Sequence, residues 1–273
     1  MCSQIGMIFG TGRRSVEEQD YLSKYFGWLF TYLLLLNERH GPHATGASWL
    51  NTGGDCRIFK RSLRASEFIK NKELRKLLGG LDGRTTWLAG HNRWQTCGDA
   101  SNNRNNHPLR AGRVIGTANG TILNADDLFE RLGLPRCAEV DSEVLLRIAD
   151  ATLDRGCLDA DAIKARLPLC RGQVSAVMAS RQDPKKVMVI KGNRPLELMY
   201  HEGHNAVVYC THAAYLDAAL AGDDGWREIR TRPMSLMTFD CDDLLGFASR
   251  PFKLAARGRR AGFVRFTGEA DDD

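Results

Sequence analysis

Cys2 is the residue with the most chemical potential in the chain. A small residue after the initiator Met permits removal of that Met, which leaves Cys2 with a free α-amine. One residue then holds a thiol nucleophile and, at an α-amino pKa of about 7.7–8.0, its own base. If Met1 stays attached, a peptide nitrogen stands where that base should be. Four further segments carry polar groups at close spacing. Gly90-His91-Asn92-Arg93-Trp94-Gln95-Thr96-Cys97-Gly98 follows an apolar run, and Asn106-His107-Pro108-Leu109 comes next. Asn119-Gly120-Thr121-Ile122-Leu123-Asn124 and Val140-Asp141-Ser142-Glu143 complete the set. Each has an ordinary reading by itself. Asp141 before Ser142 and an apolar run is a helix N-cap pattern. Asn119-Gly120 is a turn dipeptide, and Arg93 beside Trp94 fits a surface cation stacked on an aromatic ring.

Jointly and in this order, the segments resemble the class II glutamine amidotransferases, whose glutaminase domain uses an N-terminal cysteine. The family pattern runs from a Cys-Gly-Ile-like strand through Arg-Gly-x-x-x-x-Gly, Gly-His-x-Arg-Trp-x-Thr and Asn-His-Pro. It continues with His-Asn-Gly-x-Ile-x-Asn and Ser-Asp-Thr-Glu. The resemblance implies that Cys2 is the nucleophile, with Asn119 (side-chain amide) and Gly120 (backbone N–H) as the oxyanion donors. It assigns Arg93 to the glutamine α-carboxylate, Asp141 to the α-ammonium and Thr96 to a hydroxyl beside the carboxylate. Arg39, His40 and Trp94 are candidates for supporting the site, and His91 and His107 for its architecture. The chain departs from the pattern in three places. His40-Gly41 stands where Arg-Gly is common, with Arg39 one position earlier. Cys97 replaces a more usual His or Gln, and Ala118 replaces the His before Asn-Gly.

The elements around these segments read as alternating strands and helices. Ile5–Phe9 is a short apolar strand. Ser15 and Glu18 have capping-box spacing, and a helix follows over Val16–Leu36 whose apolar residues reach most of its faces, so it is expected to be covered on most sides. Strands are expected at Ala47–Leu50, Arg57–Lys60, Thr85–Ala89 and Arg113–Ala118. A helix over Ser142–Leu153 is capped by Asp141 in this reading. Gln173–Ala179 and Lys186–Lys191 form a hairpin around Asp183-Pro184. Further strands fall at Glu197–Tyr200, Ala206–Cys210 and Ser235–Phe239, with a helix at Ala213–Leu220. Hairpin-joined strands with a few helices indicate α+β architecture with antiparallel sheets. The resemblance sharpens this to a four-layer αββα sandwich of two antiparallel sheets between helical layers, the N-terminal nucleophile hydrolase fold.

With 273 residues, 43% hydrophobic and 26% charged, the chain excludes a disordered class and can bury a core. No apolar run reaches the roughly 20 residues of a membrane span, and the N-terminus lacks a secretory signal pattern. Eight cysteines without a CxxC pair disfavour a disulfide scaffold or structural zinc, which makes a reducing cytoplasm the default. No metal or cofactor is expected. Residues 2–245 read as the glutaminase-like domain and 246–273 as a basic extension with Arg250, Lys253, Arg257, Arg259, Arg260 and Arg265, ending in Asp271-Asp272-Asp273. That length leaves no room for an acceptor domain, so the expected partners are L-glutamine and a separate acceptor subunit. Self-association stays open, and nucleic-acid contact through the basic tail is disfavoured at a net charge of +5. The competing readings are a hydrolase of another γ-glutamyl or amide substrate and a catalytically silent binding or structural homologue.

Overall fold

The structure is a computed structural model that describes residues 2–12 and 15–255. In chain order, β1 (Ser3–Phe9) leads to α1 (Val16–Leu36), then β2 (Ala44–Asn51), β3 (Cys56–Arg61), α2 (Ala65–Phe68) and α3 (Lys72–Leu78). β4 (Thr85–Arg93), β5 (Leu109–Ala111), β6 (Val114–Ile122), α4 (Ala125–Arg131) and α5 (Glu143–Ala151) follow. A small ribbon of β7 (Leu153–Asp154) and β8 (Cys157–Leu158) precedes α6 (Ala160–Arg166), β9 (Gly172–Ser180) and β10 (Asp183–Lys191). The chain continues through β11 (Glu197–His201), β12 (Ala206–Cys210), α7 (Ala213–Leu220), β13 (Trp226–Glu228), β14 (Ser235–Asp240) and β15 (Asp243–Pro251).

Two antiparallel sheets carry the architecture. The first has the order β13-β11-β12-β1-β4-β2-β3 and the second β15-β14-β10-β9-β6-β5. Side-chain alternation explains why they stack. On β1, Ile5, Met7 and Phe9 pack with Phe26, Leu29, Phe30 and Leu33 of α1. Ile8 points the other way, into a layer with Ile115, Val177, Val187 and Val189 of the second sheet. The outer face of the second sheet is closed by α4, α5 and α6 through Leu128, Leu145, Leu146 and Ile163. The result is the expected αββα sandwich, with β1 central in the first sheet and covered on both faces. Each fully buried Leu or Phe in these layers contributes roughly 1.5–3 kcal/mol of transfer free energy.

The capping box at the start of α1 is present, with Ser15 and Glu18 exchanging hydrogen bonds. The expectation that this helix is covered on most sides does not hold. Tyr21 is 59% and Trp28 56% exposed, because its aromatic residues pack on one another. Trp28 stacks on Tyr32 and Tyr21 on Tyr25. The second hairpin also differs: Pro184 lies inside β10, and the turn falls at Arg181-Gln182. β15 runs through residue 245 to Pro251, and Phe252 is buried behind it. Residues 246–252 therefore belong to the sheet and its core, and Arg250 pairs with Asp161 at 2.9 Å. Arg257, Arg259, Arg260, Arg265 and the acidic tip lie outside the described residues. Among the described residues, no helix is long and apolar enough to cross a membrane.

Candidate active site

The site assembles at the end of the sandwich where β1 begins and β4 and β6 finish. β4 extends to Arg93, four residues beyond the expected strand, so Gly90, His91, Asn92 and Arg93 are held by pairing to β1 and β2. Strand pairing fixes the direction of each side chain, and all four residues are buried. The chain leaves the sheet at Trp94, directly over Cys2. The Cys2 Sγ accepts from the Trp94 N–H at 3.1 Å and donates to the Trp94 carbonyl at 3.3 Å. Burial raises the Cys2 thiol above its ordinary pKa, against the opposing pull of the Trp94 N–H and the Arg93 charge. The thiol is consequently the resting form at neutral pH.

Asn119 reaches the same point from β6. Its Nδ2 donates to the Cys2 carbonyl at 3.0 Å and to Thr211 Oγ1 at 2.8 Å. Its Oδ1 lies 3.2 Å from His91 Nε2. Gly120 follows with φ +119°, where a Cβ would sit 1.9 Å from the Gln173 carbonyl oxygen, so only glycine fits. Behind Cys2 a buried polar network ties the two sheets together. Gln4 donates through Nε2 to Ser175 Oγ and through its backbone N–H to Thr211 Oγ1, and accepts from Thr117 Oγ1. These groups are satisfied by one another, which is what a buried polar cluster requires.

Arg93 is 3% exposed and is already engaged. Its Nη1 donates to Asn106 Oδ1 at 2.8 Å and its Nη2 to the carbonyls of Cys97 and Gly98. Three of five guanidinium donors thus fold the 94–106 loop over the site. Glu139 clamps the same loop, with its carboxylate accepting from Asn105 Nδ2 and the Asp99 N–H. Gln95 donates from its backbone to His43 Nδ1 at 2.9 Å, and His43 packs on Trp94. Trp94 therefore meets Cys2 through its backbone, while its ring is 42% exposed. Thr96 lies exposed in this loop.

Asp141 does not cap the following helix. Its Oδ2 accepts from the Ile122 N–H, and Ser142 holds the N-cap position without a side-chain cap bond. The carboxylate is thereby drawn from the helix end to β6. Burial raises its pKa, opposed by backbone N–H groups around it. The preceding turn is fixed by Glu143, which is buried, pairs with Arg147 at 2.8 Å and accepts from the Cys137 and Ala138 N–H groups. His91 and His107 stack at 4.4 Å. Desolvation lowers both, His91 to about 3, so both stay neutral and act as hydrogen-bonding spacers. Arg39 and His40 lie on the neighbouring 3₁₀ turn. Arg39 sits over the Tyr215 ring, and His40 bonds Tyr215 Oη at 3.1 Å and stacks on His212, the residue after Thr211.

Sequence reading passed over Gln4, Thr211, Ser175, Asn105 and Glu139, and named Asn106 only within its motif segment. Only the Asn-rich run 102–106 offered a local signal; the other contacts join residues far apart in sequence. It also passed over His201, His204 and Asp223, whose ligating atoms lie within 4.8 Å of one another. His201 Nδ1 accepts the His204 N–H, leaving the proton on Nε2, which faces Asp223 at 3.2 Å. The Asp223 carboxylate also takes the Trp226 Nε1–H and the Gly225 N–H. That trio is a closed hydrogen-bond network at the end of β12 remote from Cys2, and its donors are committed without an ion.

No protein-family model matches the chain. Over 208 residues it is 33% identical to the glutamine–fructose-6-phosphate aminotransferase (isomerizing) of Bradyrhizobium diazoefficiens, a match covering 74% of this chain and 30% of that protein. The glutamine phosphoribosylpyrophosphate amidotransferase of B. subtilis superposes with a TM-score of 0.67 at 20% identity, covering 92% of this chain and 49% of that one. A glutamine aminotransferase class-II domain protein from Silicibacter pomeroyi gives a TM-score of 0.51 at 15% identity, covering 92% and 99%. The two structures speak for the fold. The chain spans less than half the length of the aminotransferase and of the phosphoribosylpyrophosphate enzyme. With 33% identity over 74% of the chain and the αββα sandwich shared with the solved structures, the chain belongs to the class II glutamine amidotransferases.

Proposed function

We propose that the protein hydrolyses L-glutamine to glutamate and ammonia through a γ-glutamyl thioester on Cys2. The observation that carries this reading is the placement of Cys2 at the start of β1, with its thiol on the Trp94 backbone and its carbonyl on the Asn119 amide. Loss of Met1 supplies the α-amine. That amine takes the thiol proton as sulfur attacks the γ-carbonyl carbon and passes it to the departing ammonia. Water then attacks the thioester, releasing glutamate and restoring the thiol. Asn119 and the Gly120 N–H hold the developing oxyanion in both steps. Arg93 takes the α-carboxylate with Thr96 beside it, and Asp141 takes the α-ammonium, a charged pair that fixes which end of glutamine enters first.

The ammonia passes to an acceptor site outside this glutaminase unit, a reading supported by the name of the aminotransferase relative, which joins glutamine to a second substrate. All eight cysteines are free, in keeping with a reducing cytoplasm. The test is ammonia release from glutamine by the purified protein and by Cys2→Ala. The variant is expected to be folded and inactive, and full release by it would sink the reading.

A further inference from the structure

A cavity of about 860 Å³ opens at the end of the second sheet, bounded by the ends of β6, β9, β10 and β15. It lies beside the Cys2 site. Thr121, on its wall, stands two residues beyond Asn119 on β6 and pairs with Gln173 of β9, so the two sites are about 7 Å apart along the strand. Phe252, Met234 and Leu123 supply apolar wall, and Arg171 and Lys253 supply two cations. None of the lining residues is acidic.

The walls are built and held. Phe252 donates its N–H to the Met234 carbonyl, Ala255 to that of Cys170, and Leu123 to that of Arg171. Asn193 braces the floor by accepting the Val174 N–H and donating to the Gly172 carbonyl. Gly172 has φ +136°, and a Cβ there would lie 2.0 Å from the Thr121 carbonyl oxygen. By contrast, the side chains of Arg171, Lys253, Thr121 and Gln173 have no hydrogen-bond or ion-pair partner among the described residues. Two uncompensated cations and two free polar groups around an apolar wall are the elements of an orienting ligand pocket, and the volume falls in the range of such pockets.

We propose that this cavity binds an anionic small molecule, a phosphate- or carboxylate-bearing compound with an apolar or ring body, beside the glutaminase centre. Arg171 and Lys253 take the anionic group, Thr121 and Gln173 add neutral hydrogen bonds, and Phe252 with Met234 covers the body. Two cations in a walled pocket suit one anionic group, whereas a nucleic acid draws on a row of phosphate contacts. Binding here is independent of the glutaminase reading, since none of these residues acts on the thioester.

The experiment titrates the full-length protein with anilinonaphthalene sulfonate, an anionic aromatic probe, by fluorescence. Inorganic pyrophosphate and citrate then compete, to separate phosphate from carboxylate preference. Saturable binding displaced by either anion is expected. The double variant Arg171→Ala/Lys253→Ala should bind the probe roughly tenfold more weakly or worse, given charge-assisted contacts at both positions. Arg171→Lys/Lys253→Arg should retain binding, which separates charge from folding defects. Trp28→Ala, on the aromatic face of α1, should bind as wild type. Unchanged binding in the double alanine variant, or no displacement by either anion, overturns the proposal. Ammonia release is scored separately, so loss of either property is read independently of the other.

Discussion

Removing the Asn119 amide should separate transition-state stabilisation from substrate binding. Both Nδ2 hydrogens are committed in the resting site, one to the Cys2 carbonyl and one to Thr211 Oγ1. The oxyanion must therefore compete for the first of these, while Thr211 keeps the amide oriented. Asn119→Ala removes that donor and leaves the Gly120 N–H, which should lower kcat by about 10²–10³, the cost of one oxyanion donor. KM should change little, because Arg93 and Asp141 are untouched. Stability should fall as well. The Cys2 carbonyl loses its donor at 3.0 Å, and Thr211 Oγ1 loses one at 2.8 Å. A buried unsatisfied group costs about 1–3 kcal/mol, and for a chain of this size each kcal/mol lowers Tm by about 2–4 °C. A coupled ammonia assay over a glutamine series and a thermal melt measure both effects. A kcat within about twofold of wild type, at equal folded fraction, refutes the oxyanion role, since a lost donor is worth far more.

Further outcomes follow from neighbouring contacts. Asp141→Asn should raise the glutamine KM roughly ten- to a hundredfold by removing the charge partner of the ammonium, and an unchanged KM in steady-state assays rejects the assignment. Because burial raises Asp141, the wild-type KM should begin to climb on acidification at a pH above the ordinary carboxylate range. An acid limb at the ordinary value, measured from a pH series of KM, contradicts this. Thr211→Val should lower kcat while leaving KM nearly unchanged, since Thr211 touches Asn119 and Gln4 and no proposed substrate contact; a pure KM effect contradicts a positioning role. Lys60, whose ammonium donates to the carbonyls of Asn106 and Pro108, is lowered by burial to about 8. Between that pH and the unfolded value of about 10.4, the unfolded chain holds the proton that the folded chain has released, so stability rises with pH across that window. Chemical denaturation from neutral to alkaline pH should show this rise for wild type and a flatter profile for Lys60→Met. Parallel profiles contradict it.

Local sequence patterns mark an element reliably where the pattern itself supplies the partner. The Ser15–Glu18 box sits three residues apart on one turn, and α1 starts where that spacing places it. The apolar run Ile5–Phe9 likewise lies within β1. The failures share a cause in tertiary competition. Asp141 has a capping position by sequence, yet its carboxylate is taken by the Ile122 N–H, a partner no local window contains. Trp28 adds apolarity on a further face of α1, yet stacking on Tyr32 substitutes for burial. The candidate site residues were readable as a set because the motif segments stand in the order of the family they resemble. Thr211 and Gln4 were not, since their roles exist only once β1, β6 and β12 are brought together.

Acid-quenched turnover of the native protein with glutamine, followed by mass measurement of its N-terminal peptide, tests the thioester mechanism most directly. The expected result is a peptide that begins at Cys2 and carries a γ-glutamyl group on that residue. Sustained ammonia release from a protein that retains Met1, or with Cys2 unmodified throughout turnover, would contradict it.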